Sequence, residues 1–530
     1  MLAGIFVFIL GVELVLQIAS GVYHTERGHY PDEASHFTNG LLIRDYLRTG
    51  LGQSPLRFAE DYYLRFPKVA LLMWPPLLHV TLGVAMLLPF PPNTLALLLM
   101  AVFIAWIAFR SYQITADEFG PWAGAAVALV MVGLEAMQDA ATAVMADILV
   151  AVMALEAARY LAKYWETSAT RDALWLGLFT ALACLAKGNG LAVVLMCPVM
   201  LLVSGRWEVL KQRGLYGAAA IVLFLAGPFI AISWYFYRLN SSFYRVTPAR
   251  ILSFTSQYLG TFVDQTGWSV AVAAALGMVV ALTRNRRPIW LALLSLWLAA
   301  IEFHSTTSQA AGIDPRYITM GYAPFLILAA MGIHWCIQLF SERKMPRNAA
   351  MVLLAAIFLA TKFSVLHRQP LGFAEAAKML RRQIGPDERI LVASDTNGEG
   401  AFVAEFASFA PQPAVTILRS TKILIDADWL SNHLQMRYRS PEEAMDDLEA
   451  MQVGYFLVDE SPDLQSLPYV NLANRMAHIC SSRLERIAQF GPAQGDSHSF
   501  SVYRLRNRPT GPRKKFQISL QYTLGKTIER

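Results

Sequence analysis

Val69-Ala-Leu-Leu-Met-Trp-Pro-Pro-Leu-Leu-His-Val80 opens a run that continues to Phe109 without one Asp, Glu, Lys or Arg. The same is true of Gly188–Gly205, Gly214–Tyr237, Pro288–Ile301 and Tyr317–Ser341. About 18 apolar residues span roughly 30 Å of hydrocarbon as a helix. So many closely spaced runs cannot all be cores of soluble domains. Only 16% of the 530 residues are charged, 55% are hydrophobic and the mean hydropathy is +0.39. A soluble domain carries about 25% charged residues. The chain therefore reads as mostly α, a polytopic transmembrane helical bundle of about 11–13 helices.

Working outward, candidate helices cover 1–20, 69–90, 94–113, 120–137, 141–162, 172–187, 188–204, 217–238, 267–283, 288–303, 316–340 and 348–364. Met1–Ser20 lacks a basic n-region and a clear small-residue cleavage site, and it holds Glu13, so it reads as a retained first helix. The short loops Arg159–Arg171, Arg206–Arg213, Arg284–Arg287 and Arg343–Arg347 are basic, and such loops stay cytoplasmic. Alternating the helices between them places 20–68, 138–141, 187–189, 239–266, 303–316 and everything after about 365 on the outer face. One conflict arises. With residue 1 inside, 69–90 is one crossing too many. It carries Trp74-Pro75-Pro76 and Pro89-Phe90-Pro91-Pro92, and proline removes a helix donor. The segment is either partly inserted or re-entrant, or a full crossing.

After about 365 the charges return. The organisation expected is a membrane domain over 1–365 with its first outer loop at 21–68, a soluble outer domain over 366–506 and a basic tail over 507–530. Ile390–Ser394, Ala414–Leu418, Tyr455–Val458, Leu484–Phe490 and Phe500–Leu505 look like strands, and Pro441–Met451 looks like a helix. Such alternation predicts a small C-terminal α/β domain. Asp395-Thr-Asn-Gly-Glu-Gly400 resembles a phosphate-binding turn only weakly, and an ordinary strand-to-helix turn explains it as well. The net charge of +6 comes from short loops and the tail, which fits a membrane protein and not a nucleic-acid binder. Cys184, Cys197, Cys336 and Cys480 are scattered without metal-ligand spacing or a disulfide framework.

The ionisable groups on the outer face are the candidate chemistry. Asp32 and Glu33 are adjacent acids, a pattern that suits a general base, although an acidic helix N-terminus explains them too. Glu33 and His36, with His24, Glu26 and His29 nearby, could recruit a divalent metal ion, but the spacing matches no closed zinc pattern. Asp147 lies near the outer end of an apolar helix, where a charge is costly and marks function or an interhelical hydrogen bond. Lys187, in Ala-Lys-Gly-Asn-Gly190, can hold a phosphate or simply snorkel. Arg316, beside Tyr317, can grip a phosphate bidentately or pair with Asp314. Arg57, Glu302 and His304 are weaker candidates on the same side. No single residue is decisive. The basic loops alone set the topology, and they put all of these on one face.

The order of the motifs resembles the GT-C superfamily of polytopic glycosyltransferases, in the bacterial protein-mannosyltransferase, aminoarabinose-transferase and Rgt-like branch. The matching stretches are Tyr30-Pro-Asp-Glu33, Tyr62-Tyr63…Trp74-Pro-Pro-Leu77, Ala146-Asp147-Ile-Leu149, Leu185-Ala-Lys-Gly188, Gly227-Pro228…Trp234-Tyr235 and Pro315-Arg-Tyr317…Pro324. Each is short, and their order carries the weight. Two departures stand out: Ala186 where family members often have Thr, and Ser233 where they have Pro. The resemblance implies a polyprenyl-phosphate sugar donor, an extracytoplasmic site, inversion at the anomeric carbon, and an acceptor that is a glycolipid, a polysaccharide or a protein. It places the acid pair on Asp32 and Glu33, the Lys-Gly lysine on Lys187 and the Arg-Tyr pair on Arg316 and Tyr317. It also implies a bacterial inner membrane, with the site and the C-terminal domain in the periplasm. A transporter or flippase of lipid-linked saccharides is the rival, and it predicts midplane binding groups and repeated halves, neither of which is visible. A membrane-anchored binding protein is another rival, and it predicts that residues 366–530 work alone.

Overall fold

The computed structural model describes residues 2–71, 73–240, 246–307, 313–340, 347–409, 414–427, 434–491, 499–507, 512–520 and 525–530. Helix α1 (Leu2–Ser20) leads into a connection that is mostly helical: α2 (Pro31–Asp45), α3 (Pro55–Arg65) and α4 (Leu77–Ala85). Then follow α5 (Pro92–Phe119), α6 (Pro121–Gly133), α7 (Glu135–Thr142), α8 (Asp147–Thr167), α9 (Thr170–Ala186), α10 (Ala192–Ser204), α11 (Arg213–Leu225), α12 (Gly227–Asn240), α13 (Pro248–Thr266), α14 (Trp268–Thr283), α15 (Pro288–Thr307), α16 (Tyr322–Phe340) and α17 (Arg347–Thr361). By length and composition α1, α5, α15 and the stretch Pro315–Gln338 can each cross a membrane. Two bent pairs, α6–α7 by 59° and α11–α12 by 47°, are apolar enough to do so together, each as a broken span or a re-entrant loop.

The basic loops do gather at one end. Arg286 donates to the Val203 carbonyl at 2.7 Å, Arg206 to the Trp165 carbonyl, and Arg287 pairs with Glu118. The Arg343–Arg347 loop lies almost wholly outside the described residues. At the opposite end, the Arg368 N–H donates to the Ser20 carbonyl at 2.8 Å and Gln138 to the Ser364 carbonyl at 2.8 Å.

The 69–90 conflict resolves against a full crossing. Trp74-Pro-Pro stays irregular, and α4 has nine residues, about 13 Å at 1.5 Å each. It packs instead on α2, where a Cβ at Gly83 would fall 2.6 Å from Ile43 Cγ2 and one at Gly40 2.7 Å from Leu82 Cβ. Without this crossing α1 runs to the end opposite the basic loops and α5 runs back from it, so the alternation of helices closes. Further along, residues 239–266, read as an outer loop, contain α13, a 19-residue helix. Close backbone contact, not side-chain bulk, joins α14 to α16: a Cβ at Gly277 would lie 1.8 Å from the Leu328 carbonyl oxygen.

The C-terminal region holds α18 (Phe373–Gln383), β1 (Glu388–Ala393), α19 (Thr396–Ser408), β2 (Val415–Arg419), α20 (Ser420–Ile423), β3 (Ile425–Ala427), β4 (Leu434–Met436), α21 (Pro441–Ala450), β5 (Val453–Asp459), α22 (Pro468–Ile479), β6 (Leu484–Phe490) and β7 (Phe500–Leu505). The main sheet runs β2-β1-β5-β7-β6. Parallel pairs flank β1, with Leu391 opposite both Leu418 and Phe456, and β7 joins antiparallel. Parallel neighbours need crossover helices, and β5 is buried along its whole length as such covering requires. The residues read as a tail carry a hairpin, β8 (Gln517–Leu520) and β9 (Lys526–Glu529), anchored by the buried Phe516 under Arg389. Asp395-Thr-Asn-Gly-Glu-Gly400 is the strand-to-helix turn: Asp395 caps α19, accepting from the Asn397 and Gly398 N–H groups at 3.1 and 2.7 Å.

This domain packs directly on the membrane domain. Glu26 accepts from the Leu371 and Ala374 N–H groups, each at 2.9 Å. Asn93, in the first turn of α5, donates to Glu405 of α19 at 3.3 Å. Burial, with Glu26 nearby, pushes the Glu405 carboxyl up to about 7. Docking favours the neutral acid, so its contribution is complete below about pH 4.5 and is lost as pH rises through about 7. Wild-type protein is expected to lose up to about 3 kcal/mol of C-terminal-domain stability between about pH 5 and about pH 7. Glu405→Gln should abolish that slope in denaturant titrations of the solubilised protein, and an unchanged slope would place the titration elsewhere.

Candidate functional site

Tyr30 is the N-cap of α2 and Pro31 fills its first position, where a missing N–H costs nothing. Asp32 and Glu33 follow in the first turn, where the free helix N–H groups favour acids. As neighbours on a helix they point in different directions. Glu33 turns inward and is fully buried. It faces Arg27 Nη1 at 3.6 Å and accepts from the His29 and Val144 N–H groups at 2.9 and 3.2 Å. Burial pushes its carboxyl up, and Arg27 and the two N–H groups hold it back. Asp32 turns the other way. It is half-buried and has no hydrogen bond or ion pair among the described residues.

A second cluster forms where α8 begins. Asp147 is the first residue of that helix and is 2% exposed. Lys187 Nζ donates to both its carboxylate oxygens, at 3.0 and 2.7 Å, and Asn189 donates to Oδ1 at 3.1 Å. Lys187 reaches it because the chain is extended between α9 and the tight turn Gly188–Leu191. That turn presses on the end of α9: a Cβ at Gly190 would lie 2.0 Å from the Ala183 carbonyl oxygen, so glycine is required.

Tyr317 joins this cluster to the next. Lys187 Nζ lies 5.4 Å from its ring centre, and the His304 ring stacks on it at 5.6 Å. Arg316, before it, pairs with Asp314 through Nε at 3.0 and 2.8 Å and through Nη2, while Nη1 is buried without a hydrogen-bond partner among the described residues. The same guanidinium lies 3.7 Å over the Tyr30 ring. The Tyr30 hydroxyl donates to Asp139 at 2.8 Å, and Asp139 pairs with Arg368. Asp32, Asp147 and Asp314 all act on Tyr317 electrostatically. The fold thus brings Asp32, Glu33, Asp147, Lys187, Arg316 and Tyr317 into one region at the end opposite the basic loops.

Other candidates lie elsewhere or are committed. Arg57 is exposed on α3, and Glu302 is exposed on α15. His36 is buried, shares a hydrogen bond with His79 at 2.9 Å and stacks on Trp74 at 4.4 Å. With Glu33 held by Arg27, the two residues weighed as metal ligands are not free to converge. Among the described residues no group of three or more His, Cys, Asp or Glu side chains could hold a metal. Sequence reasoning missed Tyr30 as a site residue, along with Asp139, Asn189 and Lys68. Asp139 did carry a signal, as an acid between two apolar helices.

Among solved structures the chain is similar to ArnT from Cupriavidus metallidurans in the apo state. Identity is 14% and the TM-score 0.56, over 94% of this chain and 98% of that one. It is similar to ArnT from the same organism bound to undecaprenyl phosphate, at 14% identity and a TM-score of 0.56 over 95% and 99%. It is also similar to the Archaeoglobus fulgidus oligosaccharyltransferase in complex with Zn and sulfate, at 12% identity and a TM-score of 0.55 over 86% of this chain and 68% of that one. At such identities the likeness is one of fold alone. No protein-family model matches the chain, and no curated protein matches its sequence.

Removing one member of a buried ion pair strands the other. Lys187→Met is expected to lower stability by roughly 3 kcal/mol, and Lys187→Met with Asp147→Asn to recover more than half of that loss. Thermal unfolding in detergent measures the cycle, and strictly additive losses would show that the two side chains do not depend on each other.

Proposed function

We propose that this chain, built on the GT-C fold, is an integral membrane glycosyltransferase that moves a sugar from a polyprenyl-phosphate carrier to an acceptor hydroxyl. The site lies on the extracytoplasmic face, the periplasmic side of a bacterial inner membrane, and the reaction inverts the anomeric carbon. The observation that carries the reading is the contrast within the acid pair. Glu33 is consumed by Arg27 and two N–H groups, while the Asp32 carboxylate has no partner among the described residues and acts electrostatically on Tyr317, which lies between the two cations. The likeness to a structure that holds undecaprenyl phosphate supports the choice of donor.

The steps follow from the chemistry of the groups. Asp32 accepts the proton of the acceptor hydroxyl, and the oxygen attacks the anomeric carbon. The bond from that carbon to the phosphate oxygen breaks, and its electron pair goes to the phosphate. Arg316 and Lys187 stabilise the charge that develops there. Both cations are paired at rest, with Asp314 and Asp147. Arg316 Nη1 is the edge still without a partner, so the phosphate engages it first. Tyr317 spaces the two cations, and Glu33 anchors the loop that carries the base. The apolar helices receive the polyprenyl tail. The acceptor is a glycolipid, a polysaccharide or a protein, and a lipidomic comparison of cells with and without the protein identifies the accumulated donor.

The test is transfer from a labelled polyprenyl-phosphate sugar in proteoliposomes. Asp32→Asn is expected to lower the rate by at least about 100-fold with little change in stability. Glu33→Gln is expected to act mainly on stability. Full activity of the Asp32→Asn protein would remove that residue from the base role.

A further inference from the structure

Lys68 is an unusual lysine. It lies at the end of the first outer loop, is 7% exposed, and donates from Nζ to the Thr396 carbonyl in the first turn of α19 at 3.0 Å. Its stem fits only because residue 400 is glycine: a Cβ there would lie 2.7 Å from Lys68 Cε and 3.0 Å from Ala34 Cβ. The neighbouring Pro67 carbonyl is held from the same side, accepting from Arg419 Nη1 at 3.1 Å. Nearby, Gly28 meets Ala401 equally closely, with a built Cβ 2.8 Å from Ala401 Cβ. Here α19 of the C-terminal domain and α2 of the acid loop touch.

The charged groups that act electrostatically on Lys68 are Asp32 from α2, Asp395 at the N-cap of α19, Glu399 from α19, and Arg419 from β2. Two of the three acids are already spent. Asp395 caps α19. Glu399 accepts from Arg419 Nε at 2.8 Å, from Ser420 Oγ at 2.6 Å and from the Thr421 N–H at 3.0 Å. An ammonium group has three donors, and one goes to Thr396. Asp32 is the remaining acid without a described partner.

We propose that Lys68 is a positioning residue that couples docking of the C-terminal domain to the availability of Asp32, an inference that rests on Asp32 being the base. Protonated, the ammonium competes with the acceptor for the Asp32 carboxylate. Neutral, it stays on the Thr396 carbonyl side of the junction and leaves that carboxylate to the acceptor. Burial, reinforced by Arg419, lowers Lys68 to about 7 against the pull of the three acids, so both forms exist near neutral pH. The C-terminal domain thereby forms a wall of the site and sets its response to pH.

The experiment follows transfer in proteoliposomes from about pH 5.5 to about pH 8.5, with hydrogen exchange on the same proteins. Wild-type kcat is expected to rise through about pH 7 while KM for the donor stays flat. Lys68→Arg keeps a permanent charge and should be roughly tenfold slower at the upper end, without the inflection. Lys68→Met should also lose the inflection, keep the high-pH rate within a few-fold, and exchange faster over residues 28–40. A wild-type inflection retained in Lys68→Met, or unchanged exchange over 28–40, overturns the proposal. The base reading fails separately, through an active Asp32→Asn protein, and exchange still scores the clamp in that case.

Discussion

The arrangement of the end opposite the basic loops depends on the contact between Arg27 and Glu33, two side chains wholly withdrawn from water. A buried charge without a partner costs several kcal/mol, so neither residue can be moved alone. The surroundings compound the constraint. Arg27 donates to the Val22 and Thr25 carbonyls at 2.8 Å each, which fixes the exit from α1. Glu33 accepts from the Val144 N–H, three residues before Asp147. One carboxylate therefore ties the start of α2 to the start of α8. The distance between Asp32 and the Asp147–Lys187 pair is set by that tie.

The irregular backbone gathers at the same end for a related reason. Hydrocarbon tolerates unpaired N–H and C=O groups only where protein covers them. The breaks at Leu134 and at 143–146 are buried, and those at Gly188–Leu191 and Pro315–Gly321 are covered except at Gly188 and Pro315. Each break frees donors and acceptors that a continuous helix would consume. It also lets a polar side chain approach from an unusual angle, as Lys187 does from its extended residue. Asp147, Lys187 and Arg316 each lie at such a break, whereas the bend between α11 and α12 carries no charge.

Charge-free runs were legible because lipid admits few alternatives, and β6 and β7 were legible to the residue because their apolar stretches are short and bounded by turns. The bend at Leu134 was not legible, since no proline marks it. Nor was α13, whose polar residues fit an outer loop as well as a helix lying on the surface. Within the site, the sequence placed these charges on one face but could not rank the acid pair. Adjacent positions on a helix diverge by about 100°, and the path of the loop through Arg27 decides which one turns inward. Lys68 was invisible for a different reason: its partner, Thr396, is 328 residues away.

The charge balance explains how such a site can wait without a ligand. Lys187 is neutralised by Asp147, Arg316 by Asp314, Arg27 by Glu33 and Arg368 by Asp139. Four cations in low dielectric would otherwise repel one another and attract any passing anion. Pairing removes that cost, but it means a phosphate must compete with a carboxylate for each cation. Only a ligand that supplies further binding energy succeeds, and an isoprenoid tail against apolar helices supplies it over a long contact. A soluble phosphate or sugar phosphate has no such reserve. On the reading proposed here, selection of a lipid-linked donor thus follows from the resting pairs themselves, without any group that recognises the lipid directly. Asp32, outside these pairs, keeps its carboxylate for the acceptor.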